Sequence, residues 1–134
     1  MPLDGSDCAE NILPKVEELA GRNEEGICLL RVALARAFPG ADQIEAQVKV
    51  VREAEEYLQD MEGRLKAKGL DVDSHVRYGN KAEEILEHAG QKEIALIAMS
   101  TRPHKGIGHF FGGCLAEKIV RRAPKPVFLV QCDR

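Results

Sequence analysis

A chain of 134 residues, 44% hydrophobic and 31% charged, is sized for a single domain, residues 1–134, with one buried core. Only 4% of it is aromatic, with no Trp, which argues against a stacking platform for nucleobases. The formal net charge of −3 argues against a general binder of nucleic acid or of anionic membranes.

Ser6 is a suitable N-cap for a helix running to about Arg22, with Ile12, Val16, Leu19 and Ala20 on one face. Pro14 lies inside that stretch and predicts a kink or a late start. Residues 27–35 form a continuous apolar run broken by Arg31, as in a strand buried on both faces. The longest helix is predicted over residues 42–68, with Ile44, Val48, Val51, Leu58, Met61 and Leu65 as its apolar stripe and Gly69 closing it. Its acidic positions Glu53, Glu55, Glu56 and Asp60 read as a solvated face. Residues 71–78 alternate apolar and charged side chains, as a wetter outer strand does. Gly79-Asn80 turns the chain into a helix from Lys81 to about Ala89.

The C-terminal third carries most of the functional signal. A buried strand (residues 94–99) leads into a polar, Gly-rich loop (100–113), a helix (114–122) and a closing strand (127–130). A strand that empties into a glycine-rich loop at a helix N-terminus is where α/β folds hold phosphates, because free backbone N–H groups and the helix dipole face outward there. Arg102, His104, Lys105 and His109 make this loop basic, and Gly106, Gly108, Gly112 and Gly113 make it pliable. A basic connector without a ligand is the alternative reading.

Five strands alternating with helices imply a parallel sheet covered on both faces, a Rossmann-like three-layer sandwich. Only three residues precede Asp4, so the first strand is expected to be truncated. Either the chain starts late relative to its natural gene product or something else completes the sheet. No apolar run approaches the roughly 18 residues of a membrane span, and the N-terminus lacks the basic and apolar regions of a signal peptide. A cytoplasmic location is the resulting expectation. The cysteines Cys8, Cys28, Cys114 and Cys132 form no C-x-x-C pair and have no His at ligand spacing. Free thiols are therefore expected rather than a zinc site or a disulfide framework.

Several blocks resemble the universal stress protein family: residues 2–6, Leu29-Leu30-Arg31-Val32, residues 79–86, Leu96-Ile97-Ala98-Met99 and, most specifically, residues 113–127. The resemblance implies a five-stranded sheet in the order 3-2-1-4-5. It also implies a homodimer paired through the last strand (Val127, Phe128, Leu129, Val130), and in many members ATP at the C-terminal ends of strands 1, 2 and 4. Carried onto this chain, it places adenine against Asp4 in the segment Pro2-Leu3-Asp4, with Val32 beside the base and Met99 against the nucleoside. The phosphate-side positions are Ser100, Arg102, Gly113, Cys114 and Leu115. ATP-binding members carry G-x2-G-x9-G-[ST]; here the four positions are Ser100, Pro103, Gly113 and Cys114, so only the third is kept. Pro103 has no N–H to offer, and Cys114 replaces a hydroxyl with a weak thiol donor. A charged hydrogen bond lost in this way costs about 1.5–3 kcal/mol.

Cys114 at a helix N-terminus is also a candidate low-pKa thiol, and Glu117 with Arg121 an ordinary i, i+4 pair. No hydrolase elbow, Walker loop or zinc signature is present. The expectation is a regulatory module that binds ATP or AMP weakly (with Mg if ATP), assigns no residue a catalytic role and hydrolyses ATP at most slowly. The alternative is a dimeric interaction module of the same fold that binds no nucleotide.

Overall fold

The computed structural model describes residues 1–34, 40, 42–102 and 115–132. The first predicted helix is split in two, α1 (Asp7–Glu10) and α2 (Leu13–Asn23). Ser6 Oγ caps α1 by accepting from the Ala9 N–H at 3.1 Å, and Pro14 sits in the first turn of α2, where its missing N–H costs nothing. The remaining elements are β1 (Ile27–Ala33), α3 (Gln43–Lys66), β2 (Val72–Tyr78), α4 (Lys81–Ala89), β3 (Ile97–Thr101), α5 (Leu115–Arg122) and β4 (Val127–Gln131). Asp42 Oδ1 caps α3 at the N–H groups of Ile44 and Glu45. Asn80 Oδ1 caps α4 at Glu83. Such caps are each worth about 1 kcal/mol.

The strands are parallel, as expected, but they form two pairs among the described residues rather than one five-stranded sheet. β1 runs with β2 in the register Ile27↔Val72 to Ala33↔Tyr78, and β3 with β4 in the register Ile97↔Val127 to Thr101↔Gln131. Between them, residues 1–3 reach β1 only as an isolated parallel bridge, Pro2↔Leu30. The Leu3 N–H donates to the Leu30 carbonyl (2.8 Å) and the Leu30 N–H to the Met1 carbonyl (3.0 Å). Three residues are too few to form a ladder with strands on both sides.

Two cores flank the strands. On one face Leu3, Ile12, Val16, Leu29, Leu58, Met61 and Leu65 pack α2 and α3; on the other, Leu30, Ile85, Ile97, Met99, Ala116 and Ile119 pack α4 and α5. Alternation along β1 sends Leu29 and Leu30 to opposite sides, which is why the whole stretch is apolar. The side chains of Ile12, Leu29, Leu58, Leu65 and Ile119 are fully buried, each contributing about 1.5–3 kcal/mol of hydrophobic stabilisation.

Three expectations need correction. The predicted strand over residues 94–99 begins at Ile97 and ends at Thr101. Pairing starts only where the partner strand arrives, with the Ile97 N–H on the Pro126 carbonyl, and it leaves Ala95 and Leu96 exposed. The apolar stripe of α3 is buried only from Ala54 onward; Ile44 is 78% exposed and Val48 52%. Cys8 and Cys132, expected as free thiols, form a disulfide with a Cα–Cα distance of 5.3 Å. They lie 124 residues apart in sequence, so no spacing rule could pair them; the fold brings α1 to the end of β4.

Candidate functional site

Of the predicted site residues, Pro2 and Asp4 lie in and just after residues 1–3, Val32 near the end of β1, and Met99, Ser100 and Arg102 at or just beyond the end of β3. Beyond the Pro2↔Leu30 bridge the chain passes Asp4, turns at Gly5 and enters α1. Gly5 adopts φ +86°, and a Cβ there would stand 3.2 Å from Arg31 Nη1, so glycine answers both the left-handed backbone and the close approach. The Asp4 carboxylate is exposed and accepts from the Ser6 N–H (2.8 Å) and the Ser6 hydroxyl (2.5 Å). Burial pushes its pKa up, but the Ser6 hydrogen bonds and the Lys81 charge outweigh that and hold it below the ordinary 3.8. Asp4 is therefore a fixed, ionised acceptor, its Oδ1 held by the Ser6 N–H and hydroxyl.

Sequence reasoning missed the wall behind it. Arg31 leaves β1 and lays its guanidinium over the Tyr57 ring of α3, Cζ lying 4.9 Å from the ring centroid. The Tyr57 hydroxyl donates to Glu10 Oε1 at 2.6 Å. Burial, then the hydrogen bond and charge of Glu10, raise the Tyr57 pKa well above its usual value. Only the interruption of an apolar strand by Arg31 could have signalled this in the sequence.

Across the site, Val32 is half-buried, and so is Ser100, whose hydroxyl donates to the Ala9 carbonyl at 3.5 Å. Arg102 is exposed just beyond β3, and Leu115 is half-buried as the first residue of α5. Met99 is 4% exposed and packs in the α4/α5 core, so its side chain is core rather than a face presented to a nucleoside. Gly113 and Cys114 lie outside the described residues, as do Pro103, His104, Lys105 and His109. The Cys8–Cys132 bridge fastens α1 to the end of β4, and the Cys132 N–H donates to the Thr101 carbonyl at 2.9 Å.

The arrangement offers a carboxylate acceptor, an apolar flank at Val32 and a cation at Arg102. These donors and acceptors suit an amine-bearing heterocycle with an anionic tail. Among the described residues, no group of three His, Cys, Asp or Glu donors able to hold an ion lies at this end; the group that exists (Cys28, Asp73, His75) is at the starts of the strands. A cavity of about 730 Å³ also lies at that opposite end, lined by residues including Gly26, Ile27, Cys28, Asp73 and residues 94–98.

The fold is that of a parallel α/β domain, two parallel strand pairs covered by helices. A model of the universal stress protein family matches residues 1–131, and the chain belongs to that family. It is similar to the universal stress protein YxiE of Bacillus subtilis, with 24% identity over 142 residues, 96% of this chain and 95% of the other. Among solved structures, it superposes on the universal stress protein UspA of Lactobacillus plantarum with a TM-score of 0.78 at 21% identity, covering 96% and 93% of the two chains. A universal stress protein solved in complex with cAMP gives 0.66 at 21% identity, covering 98% and 93%. One from Archaeoglobus fulgidus solved in complex with dAMP gives 0.62 at 16% identity, covering 96% and 93%. At these identities the structural likeness shows the fold. No helix of the described residues is long and apolar enough to cross a membrane.

Proposed function

We propose that this chain is a universal stress-type regulatory module that binds an adenine nucleotide weakly at the carboxyl ends of residues 1–3, β1 and β3. The observation that carries this reading is Asp4: an exposed carboxylate, held ionised and oriented by Ser6, in the segment where the family resemblance puts adenine. The cAMP and dAMP complexes of proteins with this fold support the ligand class. In this reading residues 1–3 act as the first of five strands in the order 3-2-1-4-5. The family resemblance assigns Pro2 to the nucleotide site and Ser100, Arg102, Gly113, Cys114 and Leu115 to the phosphate side, with Gly113 and Cys114 outside the described residues, and Met99 supports the site from the core. The protein is cytoplasmic and binds rather than turns over its nucleotide, with ATP hydrolysis at most slow.

A second reading, a dimeric interaction module that binds no nucleotide, is favoured by β4. Phe128 is 37% and Leu129 42% exposed, and β4 pairs only with β3 among the described residues, leaving an edge suited to a second copy. The two readings share this dimer and differ in the ligand. Calorimetric titration with Mg-ATP and with AMP, on the wild type and on Asp4→Ala, separates them. Binding of either nucleotide, weakened roughly ten- to a hundredfold by Asp4→Ala, supports the first. No heat up to millimolar nucleotide from a folded protein leaves the second.

A further inference from the structure

We propose that Cys28, Asp73, His75 and His88 form a binding site for a zinc ion, at the end of the strands opposite the nucleotide position. The four side chains come from three elements. Cys28 lies on β1, Asp73 is its direct register partner on β2, and His75 follows two residues later; period-two alternation turns all three toward the same face of the strand pair. That face is covered by α4, which supplies His88. Cys28 Sγ lies 3.2 Å from His88 Nε2, His75 Nε2 lies 3.3 Å from Asp73 Oδ2, and the two imidazoles stand 5.3 Å apart between centroids. One donor atom from each of Cys28, Asp73 and His75 lies within 4.8 Å of the other two.

The donor set decides the cation. One thiolate, two imidazoles and one carboxylate make up a tetrahedral zinc set, whereas calcium and magnesium require oxygen ligands throughout. Around a tetrahedral zinc ion the donors stand roughly 3.3–3.7 Å apart, so the Cys28, Asp73 and His75 donors need to contract by about 1 Å, while His88 joins them through its contact with Cys28. Cys28 is the free cysteine among the described residues, so its sulfur is available. Among the described residues Asp73 has no Lys or Arg in ion-pair contact with it; its ion-pair partner is His75. The nearby Arg77 is instead engaged with Glu84 at 2.7 Å and Glu87 at 3.1 Å. The positive group that a bound cation would face here is the Met1 ammonium, which donates to the Cys28 carbonyl at 2.7 Å and acts on both Cys28 and Asp73. Access comes through the cavity of about 730 Å³, which has Cys28, Asp73, His75 and His88 in its wall. Binding converts the Cys28 thiol to a thiolate, one proton leaving for each ion taken up, so affinity rises with pH. The site is rigid because β1, β2 and α4 already pack together, and it stands apart from the Asp4 region.

The test uses the full chain under non-reducing conditions, where Cys8 and Cys132 are bonded to each other. Cobalt(II) is added as the optical probe and then displaced by zinc(II). The expected result is one cobalt per chain, with the intense visible bands of tetrahedral coordination and a sulfur-to-cobalt charge-transfer band in the near ultraviolet. Zinc should abolish both. In Cys28→Ser the charge-transfer band is lost, and in His75→Ala, a change at an exposed position, zinc affinity falls at least about tenfold. Far-ultraviolet circular dichroism verifies that both variants are folded. An octahedral cobalt spectrum, no spectral change at millimolar cobalt, or affinity unchanged in either folded variant overturns the site.

Discussion

Replacing Cys132 by Ser, or reducing the protein, should remove a large part of its stability. The bond joins α1 to the residue after β4 across 124 positions of sequence. Closing a loop of that length removes chain entropy from the unfolded state worth about 5 kcal/mol in the loop-closure picture, while measured disulfide contributions centre on about 2–4 kcal/mol. The expected loss is therefore about 3 kcal/mol, out of a total stability of about 5–15 kcal/mol. Urea unfolding followed by circular dichroism reads it as a midpoint lower by about 1–3 M, given slopes of about 1–3 kcal/mol/M for domains of this size. Both cysteines are buried, so a serine hydroxyl at position 132 adds its own cost. Reduced wild type, which keeps both sulfurs, isolates the bond. If oxidised and reduced wild type unfold at the same urea concentration, the cross-link does not constrain the unfolded chain and the reasoning fails.

Other perturbations test the packing and the charges. Leu58, 1% exposed in the α2/α3 core, should lose about 2–5 kcal/mol on truncation to Ala, seen as a lower thermal midpoint with unchanged secondary structure. Asp4 has a folded pKa below its ordinary value, so its contribution is present above the unfolded pKa and is lost as pH falls through the folded one. The stability gap between wild type and Asp4→Asn should accordingly be constant near neutrality and close in acid; a gap independent of pH would show that the Asp4 charge contributes nothing. In the metal-free chain, burial, reinforced by Asp73, pushes the Cys28 thiol up to about 11 from 9.0. Iodoacetamide should modify it at pH 8 roughly a hundredfold more slowly than a free thiol, followed by mass mapping of the Cys28 peptide. Modification at the free-thiol rate would contradict the environment described.

What could be read in advance was local. Ser6 announced its helix start because a cap is a contact between residues two or three apart, and the same local contact at Asp42 and Asn80 lies where the long helix and the Gly79-Asn80 turn were read. Pro14 broke the first helix where a ring without an N–H must. The apolarity of β1, broken by Arg31, followed from burial on both faces. What escaped was non-local. The Cys8–Cys132 bond, the Cys28–His88 contact across 60 residues, and the Arg31–Tyr57–Glu10 wall each join side chains that only the folded chain brings together. The start of β3 was misplaced because apolarity marks burial, whereas the strand begins at the first residue its partner can pair. At the site, the chain turn carrying Asp4 was legible through its motif. The burial of Met99 depends on α5 packing over β3, which no local pattern reveals.

The central claim is that adenine is held at Asp4, and backbone amide chemical-shift mapping of the labelled protein titrated with AMP tests it most directly. The adenine reading predicts saturable shifts concentrated at residues 3–6, at Val32 and Ala33, and at residues 99–102, with residues 94–97 and the surroundings of Cys28 undisturbed. Shifts that centre on the opposite end of the strands, or none at millimolar AMP, would contradict it.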